Sequence, residues 1–214
     1  MAVTGVVLVG FVVVHMLGNL LLYQGPAAIN AYAEKLREMP AVLWGVRLAL
    51  LVSVLLHIWA AASLTRTNMA ARGVGYRERR SRESTYASRT MRWSGVILLL
   101  FIVYHLLHFT VGNVHPSFIP GDVYHNMISG FQIGIVPFFY ILSMLALGLH
   151  LYHGVWSLMQ TVGFSHPRYD RLRYAFAALV TAVVVLGNLS FPVAVMTGLV
   201  KEPVSRSMAT GARR

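Results

Sequence analysis

The sequence predicts an all-α, polytopic membrane protein: a bundle of five transmembrane helices with its N-terminus cytoplasmic. Three observations point there. Of 214 residues, 57% are hydrophobic and 12% charged, about half the charged fraction usual in a soluble domain. The apolar residues come in charge-free blocks, at 4–23, 48–65, 93–114 and 174–200, with a longer run from Val123 to Pro167. A helix crosses a bilayer with roughly 20 such residues. The alternation that marks a membrane barrel is absent, so helices are what can pair every backbone polar group in lipid.

The elements follow in order, and residues 1–214 read as a single transmembrane domain. The first span, about 3–24, is too long and too poor in leading basic residues for a cleavable signal peptide, and a short cytoplasmic lead-in is expected before it. Loop 25–41, bounded by Gly25-Pro26 and Met39-Pro40, is polar enough for a short surface helix. The second span is about 42–64, and an Arg- and Ser-rich loop, 66–91, follows it. The third span is about 92–114, and loop 115–131 carries the turn signals His115-Pro116 and Pro120-Gly121. The fourth is about 132–159. The fifth, about 173–200, has no histidine, and its Asn188 is expected to pack.

The net charge of +11 sits where it sets topology. Eight arginines lie between Arg66 and Arg92, and Arg168, Arg171 and Arg173 precede the last span. Both loops fall on one side of a five-span chain, and basic loops stay cytoplasmic. The basic tail (Lys201, Arg206, Arg213, Arg214) opposes this assignment but is outweighed. The charge therefore predicts lipid and partner contact, with no nucleic acid. The chain has no cysteine, which excludes disulfides, iron–sulfur ligation and covalently attached c-type haem.

Nine histidines remain, and six lie in spans: His15, His57, His105, His108, His150 and His153. His115, His125 and His166 stand in or beside loops and are expected to mean little. An ionisable side chain at membrane depth normally faces the bundle interior and has a partner. His15 and His105 lie roughly 18–20 Å from the cytoplasmic ends of their spans, and His57 and His150 roughly 10–14 Å. Two levels result, each drawing on two helices. Imidazoles facing across a bundle are the axial ligands of a b-type haem, so two levels suggest two haems. Gly18, Ala60, Ala61 and Gly154 would leave room for a flat macrocycle. His105 and His108, and likewise His150 and His153, share a helix face, and spacing alone does not choose between them.

The segments "FVVVHMLGNLLLY", "LLHIWAA", "RWSGVILLLFIVYH" and "LHLYHGVWSLMQTVGF" together resemble the cytochrome b membrane subunit of succinate dehydrogenases and fumarate reductases (complex II), in the branch with one five-helix anchor and two haems. The resemblance spans roughly residues 4–165. Its fourth-helix pattern selects His150 over His153, and its Arg-x-x-Gly start places Arg92 thirteen residues before His105. It implies two haems b, held by His15 with His105 (outer) and His57 with His150 (inner); beside them, His108 and His153 are candidates to bond a propionate or a backbone carbonyl, and Arg92 to neutralise a propionate or sit among the headgroups. It also implies flavoprotein and iron–sulfur partner subunits on the cytoplasmic side, docked along 66–92, in a bacterial plasma membrane. Electrons would pass to a membrane quinone, menaquinone by expectation, and the complex could form a higher oligomer. Polar groups near span ends (Arg92, Trp93, Ser94, Ser63; Tyr23, Gln24, Gln132) are weak quinone candidates. Some relatives carry a Glu two residues before the fourth ligand as a proton route; Gly148 stands there, which puts that route in doubt. The alternatives are a dihaem cytochrome b serving a hydrogenase or formate dehydrogenase, and a haem-free anchor or transporter.

Overall fold

The computed structural model describes residues 1–71, 86–164 and 166–203. Most of the expected docking loop and the tail arginines lie outside the described residues. Seven α-helices are present among them: α1 (Ala2–Asn19), α2 (Pro26–Arg37), α3 (Pro40–Ala70), α4 (Tyr86–His105), α5 (Val123–Phe131), α6 (Val136–Thr161) and α7 (Asp170–Met196). Five helical stretches are long and apolar enough to cross a membrane. They are α1, α3, α4, α6 and α7 with their extensions.

Local chemistry sets the boundaries. α1 tightens into a 3-10 turn, Leu20–Gln24, and stops at Gly25, whose φ of 96° needs a residue without a β-carbon. Proline opens α2, α3 and α6 within the first turn, where its missing N–H costs no hydrogen bond. α5 is capped by Asp122, which accepts from the His125 backbone N–H at 3.0 Å. α4 widens into a π segment, Leu106–Val111, closed by Gly112. Pro192 lies inside α7 and leaves the Asn188 carbonyl without its helical donor.

α6 packs along both α4 and α7, and α1 packs on α3 and more lightly on α6 and α7. The end where α1, α4 and α7 begin is called the near end. At the far end α2 and α5 pack on each other under the bundle. There Leu22, Ile29, Ile128, Tyr140 and Phe191 form the larger buried cluster. Nearer the other end a smaller one joins Leu151 and Val155 of α6 to Ala177 and Val184 of α7. The outside is apolar: Trp59 and Trp93 are 69% and 74% exposed, as a lipid-facing surface requires and a water-facing one rarely tolerates. Arg47 lays its guanidinium 5.0 Å from the Trp44 ring, at the far end of α3, keeping its charge at the interface.

Three expectations are corrected. Loop 115–131 contains a buried helix, α5, because Tyr124, Met127, Ile128 and Phe131 form an apolar stripe that docks on the bundle. The third span is not uniform, since its last turn is π. Gly18 makes no room for a macrocycle: a β-carbon there would stand 2.9 Å from Cε1 of Tyr32, so its role is to let α2 close on α1.

Candidate functional site

The six intramembrane histidines sort themselves by helix face. His15 of α1 meets His105 of α4 with ring centroids 5.9 Å apart. His57 of α3 meets His150 of α6 at 6.2 Å. Each pair joins two different helices, at two heights. The heights are read from α1 and α4, which touch both pairs. A β-carbon on Gly5 would stand 3.9 Å from His57, and one on Gly95 would stand 3.8 Å from His150. Each glycine precedes the histidine of the other pair on its own helix by ten residues, or about 15 Å of rise.

The orientation of the near-end pair has a specific cause. Thr4 Oγ1 donates its one proton to the Met1 carbonyl, at 2.9 Å, and lies 3.1 Å from His57 Nδ1. Ser94 Oγ donates to the Met91 carbonyl, at 3.0 Å, and lies 3.2 Å from His150 Nδ1. A hydroxyl has one proton: given to the backbone carbonyl, it leaves the oxygen to accept from an imidazole Nδ1–H and frees the Nε2 lone pair, and given to Nδ1 it puts the ring proton on Nε2. The first arrangement is the one a metal-bound histidine adopts when its other nitrogen is held by a neighbour.

The far-end pair is framed by aromatic rings. Phe11 stacks on His15 at 5.3 Å, and Phe101 and Phe109 flank His105 at 5.6 and 5.8 Å. The Tyr140 hydroxyl stands between two imidazoles, 3.1 Å from His108 Nδ1 and 3.4 Å from His105 Nδ1. His108 itself is fully buried, stacks on His115 at 4.8 Å, and lies against Gly130, where a β-carbon would come within 2.9 Å of its ring. The π segment carries it toward α5, and His105 alone faces His15. The His108 Nε2 has no hydrogen-bond partner among the described residues. His153 turns toward Trp156, with ring centroids 4.9 Å apart. Arg92 is exposed at the start of α4.

Two imidazoles at each level, about 6 Å between ring centres, leave room for one metal ion bonded to both at about 2.0–2.1 Å. Among the described residues no group of three or more His, Asp or Glu could hold an ion alone. The donor set thus suits a metal that brings its remaining ligands with it, as a porphyrin-bound iron does. A family model described as the succinate dehydrogenase/fumarate reductase transmembrane subunit matches residues 64–187, more than half of the chain. The chain belongs to that family. No curated protein and no solved structure matches it. The match takes in α4 and α6, hence one histidine of each pair, while His15 and His57 precede it.

Two of the three loop histidines that were expected to mean little, His115 and His125, hold the far end of this anchor subunit together; His166 instead accepts from the Arg168 N–H ahead of α7. His115 Nε2 donates to the Asn126 carbonyl at 2.9 Å and its Nδ1 accepts from the Ser117 N–H at 3.2 Å. His125 bonds the Glu202 carboxylate at 2.7 Å and the Ser117 carbonyl at 3.0 Å. Thr4 and Tyr140 also went unnoticed in the sequence, and Ser94 was noticed only as a quinone candidate. A signal existed: Thr4-Gly5 and Ser94-Gly95 both precede a histidine by the same interval, so α1 and α4 share the pattern [Ser/Thr]-Gly-x9-His. Gly148 is packed, with a β-carbon site 3.1 Å from Val185; a carboxylate arm there would collide with α7.

Proposed function

We propose that this complex II membrane anchor binds two b-type haems, one between His15 and His105 and one between His57 and His150, and passes electrons between an iron–sulfur partner subunit and a membrane quinone. The observation that carries the reading is the matched pair of hydroxyls, Thr4 and Ser94. Each lies within hydrogen-bond reach of an imidazole Nδ1, where it can accept the ring N–H and leave the Nε2 lone pair free, on rings set 6.2 Å apart. Bound haem supplies one-electron oxidation and reduction without proton chemistry of its own.

The protein's part is positional. α1 and α3 bring one imidazole each, and α4 and α6 bring the opposing ones, so neither level exists without two helices. With two histidines to hold the group at each level, the sites would favour electron transfer over oxygen chemistry. Phe11, Phe101 and Phe109 surround the far-end pair with apolar rings and so keep water from it. Burial and dielectric are among the means by which a protein sets a haem potential. The basic near end, with Arg66, Arg92 and Arg168, is where we place the iron–sulfur and flavoprotein partners, on the cytoplasmic face of a bacterial plasma membrane. Menaquinone is the quinone we expect.

A pyridine haemochrome assay and a reduced-minus-oxidised spectrum of the purified complex test the reading. Two b haems per anchor chain, titrating at two potentials, are expected. One haem would mean that one histidine pair is structural, and none would overturn the proposal.

A further inference from the structure

At the near end of the α6–α7 seam, several buried side-chain nitrogens have no hydrogen-bond partner among the described residues. Arg173 is 4% exposed and lies on the same stripe of α7 as the buried Ala177 and Val184, which pack on α6. Its Nη2 donates to Asp170, one turn back. Its Nε and Nη1 have no partner. Across the seam the Trp156 Nε1 is likewise buried and unpartnered, and so is His153 Nδ1. These side chains are contiguous. The His153 and Trp156 rings lie 4.9 Å apart, Trp156 and Tyr174 lie 5.5 Å apart, and the Arg173 guanidinium sits 6.0 Å from the Tyr174 ring.

Leaving such atoms unmet is expensive. An unpaired buried donor has given up its hydrogen bonds to water with nothing in return, and a charged one has given up more. Arginine and tryptophan side chains donate only, and a neutral imidazole has a single acceptor nitrogen, so His153 could meet at most one of these donors; an acceptor for the rest has to come from outside. Asp170 answers one of the guanidinium faces and is itself 44% exposed, so solvent weakens its claim on the charge.

We propose that Arg173, Trp156 and His153 form an anion site for the carboxylate or phosphate oxygens of a group embedded in the membrane. Two sources share that chemistry: a propionate of the near-end haem, and the phosphate of a lipid headgroup. The first source rests on the haem reading above, and the second does not. Trp156 stands six residues beyond His150 on α6, a rise of about 9 Å. That places the site on the near side of the His57–His150 pair, where Arg168, just before α7, and Arg171, in its first turn, add positive charge.

The test uses the complex purified from its own membrane, with Arg173→Gln, Arg173→Lys and Trp156→Phe. Haem per chain is counted first, so loss of the haem reading is seen separately. A propionate partner predicts an unchanged haem count with the midpoint potential of one haem lowered in Arg173→Gln, lowered less in Trp156→Phe, and largely restored in Arg173→Lys. A lipid partner predicts unchanged midpoints and the loss of one co-purifying phospholipid per chain, read by phosphorus analysis. Should Arg173→Gln fail to assemble, Trp156→Phe, which removes one N–H and keeps an aromatic ring, gives the same two readouts. Unchanged midpoints together with unchanged phospholipid would overturn the proposal.

Discussion

Thr4 and Ser94 can do for the near-end pair what no apolar residue of the same size could do, because each hydroxyl is placed to hold an Nδ1–H and leave Nε2 free for a metal. Thr4→Val and Ser94→Ala keep the helices but release one imidazole to either tautomer. Losing the group that orients a metal-bound histidine typically weakens the site 10–100-fold. Each variant is therefore expected to lose one haem on prolonged dialysis with apohaem acceptor protein, while the other haem stays. Equal loss of both haems, or of neither, would show that the hydroxyls do not orient the pair. The histidines divide the same way. His15→Ala or His105→Ala should remove one haem, and His57→Ala or His150→Ala the other, measured as haem per chain. His108→Ala and His153→Ala should remove neither. The pairing of these histidines was legible from depth alone. The choice of His105 over His108 was not, since it depends on a π turn that carries His108 toward Gly130. The orienting hydroxyls were hidden because serine and threonine on a membrane helix bond their own backbone in any case.

Among the elements, the spans were readable because lipid demands length and apolarity, and both are visible in composition. What escaped was everything fixed by contact. α5 reads as a loop when its turn residues are weighed, and becomes a helix because its apolar face docks. Gly18 looks like space beside a ligand and is instead the seat of Tyr32. Gly187 gives the sharpest case, since a β-carbon there would stand 2.2 Å from Met16 Sδ and 3.0 Å from its Cγ, where α1 crosses α7. Met16 is 3% exposed and has little room to retreat. Overpacking of this kind costs about 1–3 kcal/mol. Gly187→Ala should lower the melting temperature of the detergent-solubilised anchor, and adding Met16→Ala should recover part of the loss, because the two substitutions share one contact. Strictly additive losses would mean that the helices do not cross at this point.

At the scale of the molecule the two ends differ in kind. The far end is closed by polar bonds among α2, α5 and the chain after α7. Asn30 donates to Asp122 at 2.9 Å, Tyr124 donates to the Lys201 carbonyl at 3.1 Å, and His125 holds Glu202. The near end carries the arginine-rich connection between α3 and α4 and the shorter one between α6 and α7. Basic loops resist translocation when they are short and close to span ends, and both connections are short. The far-end basic residues among those described, Lys35 and Arg37 on α2, Arg47 on α3 and Lys201 after α7, are fewer than the near-end arginines. The near end should therefore face the cytoplasm, where soluble partner subunits would meet it. The chain has no cysteine, so any thiol introduced is the only one present. Thr67→Cys, exposed at the near end of α3, and Asn113→Cys, exposed in the far-end connection, sample opposite faces. In intact spheroplasts a membrane-impermeant maleimide should label Asn113→Cys and leave Thr67→Cys unlabelled until the membrane is opened. The reverse pattern would turn the molecule over, put the His57–His150 pair on the outer side, and exchange the faces assigned to the electron-transfer partners.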